Sequence, residues 1–198
     1  KAKTIAALQT GVNNTQLTAI NNNGIDSIFD VAYSPDDDRF LLVFKDGGNS
    51  GATTGQVIDV DANGDFSIGS EVVIESSSTR LCEVEYDTGV NRFIALFTVD
   101  NSDNSCAVDA AKEANLTGSG AFGTNGDSAE LVYDPDNAKM FAIYSQNDEI
   151  LGRVLTITGG STNTIAQGTA ADIHGTAGPA WDGGFQKGMK AVYDTAAD

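Results

Sequence analysis

The chain has 198 residues, 40% of them hydrophobic, and sets 28 acidic against 11 basic side chains for a net charge of -17. That length suits a single domain or a small closed array, the charge repels phosphate backbones and anionic membranes, and no apolar run approaches the ~20 residues of a membrane-spanning helix. Nucleic-acid binding and membrane insertion are therefore set aside; the acidity reads first as a solubility device, with cation binding and a salty medium as the functional alternatives.

In chain order, residues 1–23 hold two strand-like runs, KTIAALQ and QLTAI, around GVNNT. With no initiator Met and no leader pattern among these residues, a processed or partial product is expected, and the abundance of Asp, Asn, Ser, Thr and Gly suits a virion-surface or extracellular β-protein. From Phe29 to Gly48 comes the phrase that the chain repeats, FDVAYSPDDDRFLLVFKDGG. An apolar strand ends in Tyr33, an Asp-rich turn follows, and Arg39 opens a second apolar strand. The phrase returns as Tyr86 to Arg92, Tyr133 to Lys139 and Trp181 to Lys187, the basic residue always six positions after the aromatic. The second strands read FLLVF, FIALF, MFAIY and, after the extra Gly188, MKAVY. Such aromatic and branched runs predict strands buried on both faces, and the turns between them use Pro, Asp, Asn and Gly.

Between the repeats, Asn63-Gly64 predicts a type I′ hairpin turn within GQVIDVDANGDFSIGSEVVI. The outer half of the second repeat, CAVDAAKEANLTGSGAF, is expected to be loop or strand in preference to a short helix over 110–114. Cys82 and Cys106 fall on the first and third strands of that repeat, ~9.6 Å apart at a strand spacing of ~4.8 Å, which is beyond the reach of a disulfide. Two free thiols are expected.

The aromatic markers lie 53, 47 and 48 residues apart, and counting from Trp181 round through the two ends to Tyr33 gives 50. The C-terminal GPAWDGGFQKGMKAVYD holds only an inner hairpin, and 1–23 supplies the two strands it lacks. The expected fold is all-β: a four-bladed β-propeller closed by its N- and C-terminal half-blades. Its blades run over about 28–77, 81–125 and 129–172, with 180–198 joined to 1–23, in one domain spanning 1–198.

Tyr133 to Tyr144, YDPDNAKMFAIY, followed by the hairpin from Gly152 to Ile157, resembles the repeats of about fifty residues in marine phage structural and tail-fibre proteins. The likeness covers nearly the whole chain, with the second and fourth repeats matching only in their inner hairpins. A second resemblance, confined to the first repeat, is to hemopexin-like four-bladed domains: Asp30-Val31-Ala32-Tyr33 and Phe44-Lys45 echo their D-A-A-F and F-F-K-G. The disulfide that joins first and last blades in that family is absent. The first resemblance implies a non-enzymatic virion-surface or tail-fibre module that attaches to other particle or cell-surface proteins, or to glycans, within a larger assembly. The second implies a calcium-binding secreted lectin or adhesin.

Three positions before each marker stand Asp30, Glu83, Glu130 and Gly178. First strands lie innermost in a propeller, so the three carboxylates are expected to ring the channel and to hold Ca²⁺ or another divalent cation. The structural alternative is that they point into the seams between blades or accept backbone N–H groups. Asp59, Asp61 and Asn63 with Gly64 match the opening of a calcium loop, but Ser70 stands at the twelfth position and Glu71 one place late. A hairpin explains the same residues without a metal. His174, the sole histidine, lies in a polar inter-blade loop with no nucleophile motif near it, Trp181 reads as core, and GGNSGATTG lacks the lysine of a phosphate loop.

Overall fold

The computed structural model describes residues 25–99, 106–110, 129–146, 149–159, 164–174 and 190–194. Residues 1–23, Gly178, Trp181 and the second repeat from 111 onward lie outside them, as do the side chains of Cys106 and His174. Twelve strands run in order: β1 (Ile25–Ser34), β2 (Arg39–Asp46), β3 (Ala52–Val60), β4 (Phe66–Ile68), β5 (Val72–Asp87), β6 (Arg92–Val99), β7 (Cys106–Ala110), β8 (Ala129–Asp134), β9 (Lys139–Gln146), β10 (Glu149–Thr158), β11 (Thr164–Gln167) and β12 (Ala171–His174). The chain is all-β, and among the described residues every pairing is antiparallel. One sheet orders its strands β1-β2-β3-β5-β6-β7 with β4 on β3; the other orders them β11-β10-β9-β8 with β12 on β10. No sheet closes on itself among the described residues.

The repeat survives at the level of single hydrogen bonds. One residue after each tyrosine marker a side chain caps the turn: Ser34 Oγ accepts from Asp37 N at 3.2 Å, Asp87 Oδ1 from Gly89 N at 2.8 Å, and Asp134 Oδ1 from Asp136 N at 3.0 Å. Four residues later comes a left-handed residue, Asp38, Asn91 or Ala138, with φ of 53°, 54° and 49°. The basic residue that follows reaches across to the third strand, Arg39 to Asp59 at 2.7 Å and Lys139 to Thr156 at 3.1 Å. The sixfold spacing therefore has a cause: it is the length of one capped turn plus the first rung of the next strand.

Outer halves repeat as well. Gly69 N donates to Val57 O at 2.8 Å and Gly168 N to Val154 O at 2.9 Å, so the fourth strand of the first and third units breaks at the same place, between β4 and β5 and between β11 and β12. β5 runs unbroken for 16 residues from the first repeat into the second, pairing β3 with its first part and β6 with its second. Two expectations are corrected. The 61–65 hairpin is not type I′: only Gly64 has positive φ, at 84°, and Asp61 N bonds Asp65 O across a three-residue loop. The segment 190–194 has no ladder partner among the described residues, and Val192 is 88% exposed. The doubly buried second strands hold in the first two repeats, as in Val43, Phe44, Ile94 and Ala95, whereas β9 alternates, with Met140, Ala142 and Tyr144 buried and Phe141 and Ile143 half-buried.

The cores lie between units. Ala32, Leu41 and Val43 of the first meet Cys82, Val84 and Ala95 of the second; Ile94 and Leu96, on the opposite face of β6, meet Leu131, Met140 and Leu155 of the third. Cys82 is a free buried thiol, and β7, which carries Cys106, lies on the far side of β6 from it, as expected for strands one and three. Burial pushes the Cys82 thiol up to about 11, with its hydrogen bonds to the Thr79 and Thr53 hydroxyls opposing.

Among the described marker turns, Ala138 is the one left-handed residue that is neither Asp nor Asn. Left-handed backbone costs a Cβ-bearing residue about 1–2 kcal/mol, less for Asn, whose side chain bonds locally. Ala138→Asn should therefore stabilise the protein by about 0.5–1 kcal/mol, and denaturant unfolding of the two proteins measures it; an unchanged or lower midpoint contradicts the argument.

Candidate functional site

Each first strand places its carboxylate opposite an apolar residue of the second strand: Asp30 opposite Val43, Glu83 opposite Leu96, Glu130 opposite Ile143. The common register carries all three to one line where the first strands adjoin. There they meet a cation from the chain itself. Lys190 Nζ lies 2.9 Å from Glu130 Oε2 and 3.7 Å from Glu83 Oε2. Asp30 Oδ2 also accepts the backbone N–H of Val84 at 2.9 Å, so this carboxylate joins the first unit to the second as well as facing the row.

The electrostatics follow from burial and crowding. Glu83 is pushed up to about 8, first by burial, then by the charge of Asp30, with Glu130 adding, Lys190 opposing, and a hydrogen bond to Asp30 favouring the protonated form. Glu85, two residues further along β5, is raised by burial first and then by Asp30 and Glu130, against a bond from Tyr86 N. The Lys190 ammonium is raised by its hydrogen bond to Glu130 and by the charges of Glu83, Glu130 and Asp30, against some desolvation. Such a row can hold a proton and bind an ammonium group between units. Among the described residues, no group of three or more His, Cys, Asp or Glu side chains is arranged to hold a metal ion.

The carboxylates of the second and third units thus share Lys190, and that of the first accepts a backbone N–H, as the structural alternative expects. Lys190 was missed because MKAVY reads as a buried strand. The signal was there, in a lone lysine within an apolar run and a glycine where the fourth carboxylate would stand.

A second set of contacts links the units at the turns. Tyr86 Oη donates to Asp36 Oδ2 at 2.9 Å, Gly89 N donates to Tyr133 Oη at 2.8 Å, and Tyr193 Oη donates to Asp136 Oδ2. Asp36, Gly89 and Asp136 each stand three places after their marker, so each described marker turn is held by a tyrosine from further along the chain, in the second unit, the third unit and the segment 190–194. Tyr33 bonds its own turn at Asp38, at 2.7 Å, instead. Tyrosines of the repeat are therefore clasps as well as core.

The second candidate site disperses. Asp59 pairs with Arg39, while Asp61 Oδ1 accepts from Asn63 N and Asp65 N, both at 2.9 Å, and so closes the hairpin loop. Asn63 Nδ2 leans on Asp61 Oδ2 at 3.4 Å. The chain matches no family model and no curated protein.

Two predictions follow from these contacts. Asp61→Ala removes the acceptor of two backbone N–H groups and should cost about 1–2 kcal/mol, equally in calcium and in chelator; a loss seen only in calcium would return the loop to metal binding. Tyr86→Phe deletes a clasp and should cost about 1 kcal/mol, whereas Tyr33→Phe, on an exposed bond, should cost less than about 0.5 kcal/mol. Equal losses in urea unfolding would deny the clasps a role between units.

Proposed function

We propose that the chain is a non-enzymatic attachment module of the virion-surface or tail-fibre type, built as a four-bladed propeller that its two ends close, and that it binds particle proteins or host-surface glycans. The observation that carries this reading is the use made of the polar residues common to the repeats. Asp and Ser cap turns, tyrosines clasp the turn of the preceding unit, and the carboxylate row receives Lys190. These groups serve assembly of the ring, which leaves loops and turns as the variable surface on which a partner is recognised.

Closure draws support from the first unit. Phe29, Val31 and Tyr33 share the face of β1 turned away from the second unit and are 62%, 49% and 44% exposed. Three large apolar side chains on one strand face call for a cover, and a fourth blade made of 180–198 and 1–23 supplies it. Lys190 and Tyr193 already reach the second and third units from that blade, and 1–23 carries Lys1 and Lys3 with no acidic side chain in a chain of net charge -17.

Purified full-length chain on a glycan array tests the attachment. Saturable retention with the glycan masses unchanged is expected, and a protein-only attachment would show as no retention but specific cross-links to structural proteins of the particle. Trimmed glycans, or neither retention nor cross-links, would overturn the reading. Closure has its own measurement: solution scattering should give a radius of gyration of roughly 16 Å for a compact monomer of this length, and a markedly larger value or a head-to-tail oligomer would defeat it.

A further inference from the structure

The loop over 61–65 joins β3 to β4, and all of its residues are exposed, so the Asn63-Gly64 bond lies open to solvent. Gly64 has φ of 84°, and nothing stands within 4 Å of where a Cβ on it would be. Asparagine before glycine is the pair in which a backbone nitrogen reaches the preceding side-chain carbonyl most readily, because no Cβ on the second residue hinders the approach. One residue restrains the pair. Gly64 N donates to Asp61 O at 3.0 Å, Asn63 N donates to Asp61 Oδ1 at 2.9 Å, and Asn63 Nδ2 leans on Asp61 Oδ2 at 3.4 Å. Asp46-Gly47 gives the contrast within the chain: Asp46 is 5% exposed, and its Oδ1 is held by Gly48 N at 2.9 Å.

We propose that Asn63 is a site of spontaneous deamidation and that Asp61 is a positioning residue that slows it. In the first step hydroxide takes the proton of Gly64 N, the nitrogen attacks Asn63 Cγ, and a C–N bond forms. The bond from Cγ to Nδ2 then breaks, and ammonia leaves with a proton taken from water. Water opens the cyclic imide at either carbonyl. Opening at Cγ leaves an ordinary aspartate; opening at the main-chain carbonyl of Asn63 leaves isoaspartate, with the chain running through the former side chain. No electrons are gained or lost, and water is the one co-reactant.

Gly64 N cannot attack while its proton is shared with Asp61 O, and Asn63 cannot turn toward it while its own N–H rests on the Asp61 carboxylate. The loop has to release these bonds before the ring can close. Either product adds a negative charge beside Asp59, Asp61 and Asp65. Isoaspartate also lengthens the main chain at the turn, so the bonds from Gly64 N to Asp61 O and from Asp61 N to Asp65 O no longer fit, and the adjoining pair of Val60 with Phe66 loosens first. The site goes beyond the attachment reading and does not depend on it.

The test is to incubate the full chain at neutral and at mildly alkaline pH, digest it, and follow the peptide that holds residue 63 by mass and by enzymatic methylation of isoaspartate. The wild type should gain the mass of an acid in place of an amide, mostly as isoaspartate, at a rate that rises in proportion to hydroxide. Asn63→Gln, whose ring closes more slowly, should leave that peptide unchanged. Asp61→Ala should speed the reaction about two- to tenfold, the factor that one lost hydrogen bond represents. Asp61→Asn keeps an oxygen acceptor and should stay near the wild-type rate, and hydrogen exchange of the Gly64 amide should quicken in Asp61→Ala but not in Asp61→Asn. A residue 63 that stays intact in the folded chain while it converts in guanidinium overturns the site. Equal rates for the wild type and Asp61→Ala overturn the role of Asp61. Should that variant not fold, the folded and guanidinium rates of the wild type decide, and equal values deny any protection.

Discussion

A β-sheet buries its faces only where something lies on them, and in this chain that something is the neighbouring repeat. No unit has an interior of its own. Cys82, Val84 and Ala95 look one way and Ile94 and Leu96 the other, so the second unit is meaningful only between the first and the third. This is why the second strand of each repeat is apolar at consecutive positions instead of alternating, and why hydrophobic residues of the first unit stand uncovered on the side where the described neighbours end.

Stacking of this kind aligns whatever the repeats have in common. A residue fixed at one place in the repeat arrives at one height in the array, and like charges so aligned have to be answered. The answer in this chain is one ammonium, Lys190, shared between Glu130 and Glu83, while burial and the charge of Asp30 push the Glu83 carboxyl up. Turn residues obey the same logic: the capping side chain, the left-handed residue and the clasped position recur because each turn must present the same shape to the next tyrosine.

What could be read before the structure was what depends on local spacing. The strands around Tyr33, Tyr86 and Tyr133, their turns and the alignment of Asp30, Glu83 and Glu130 all follow from a pattern that is repeated and therefore visible. The continuity of β5 was hidden, because the Ser and Thr residues at 76–79 carry no apolar pattern and extend as a strand only when β3 and β6 are in place to pair with them. The hairpin at Gly64 was misread for a related reason: Asn-Gly allows two loops, and the bonds that Asp61 makes to Asn63 and Asp65 select the longer one. Lys190 stood out as a lone lysine in an apolar run, but its partners, 60 and more positions away, were not legible from local spacing.

The tyrosine clasps span 50, 44 and 57 positions along the chain, each close to the length of one repeat. The entropy of closing a loop grows only with the logarithm of its length, so these three closures differ in cost by about 0.3 kcal/mol at most. No junction is then favoured over the others as a starting point. Such an array behaves like a short one-dimensional chain of coupled elements: folding can nucleate at whichever junction forms first and spread outward from it, each new unit docking on a surface its predecessor has just completed.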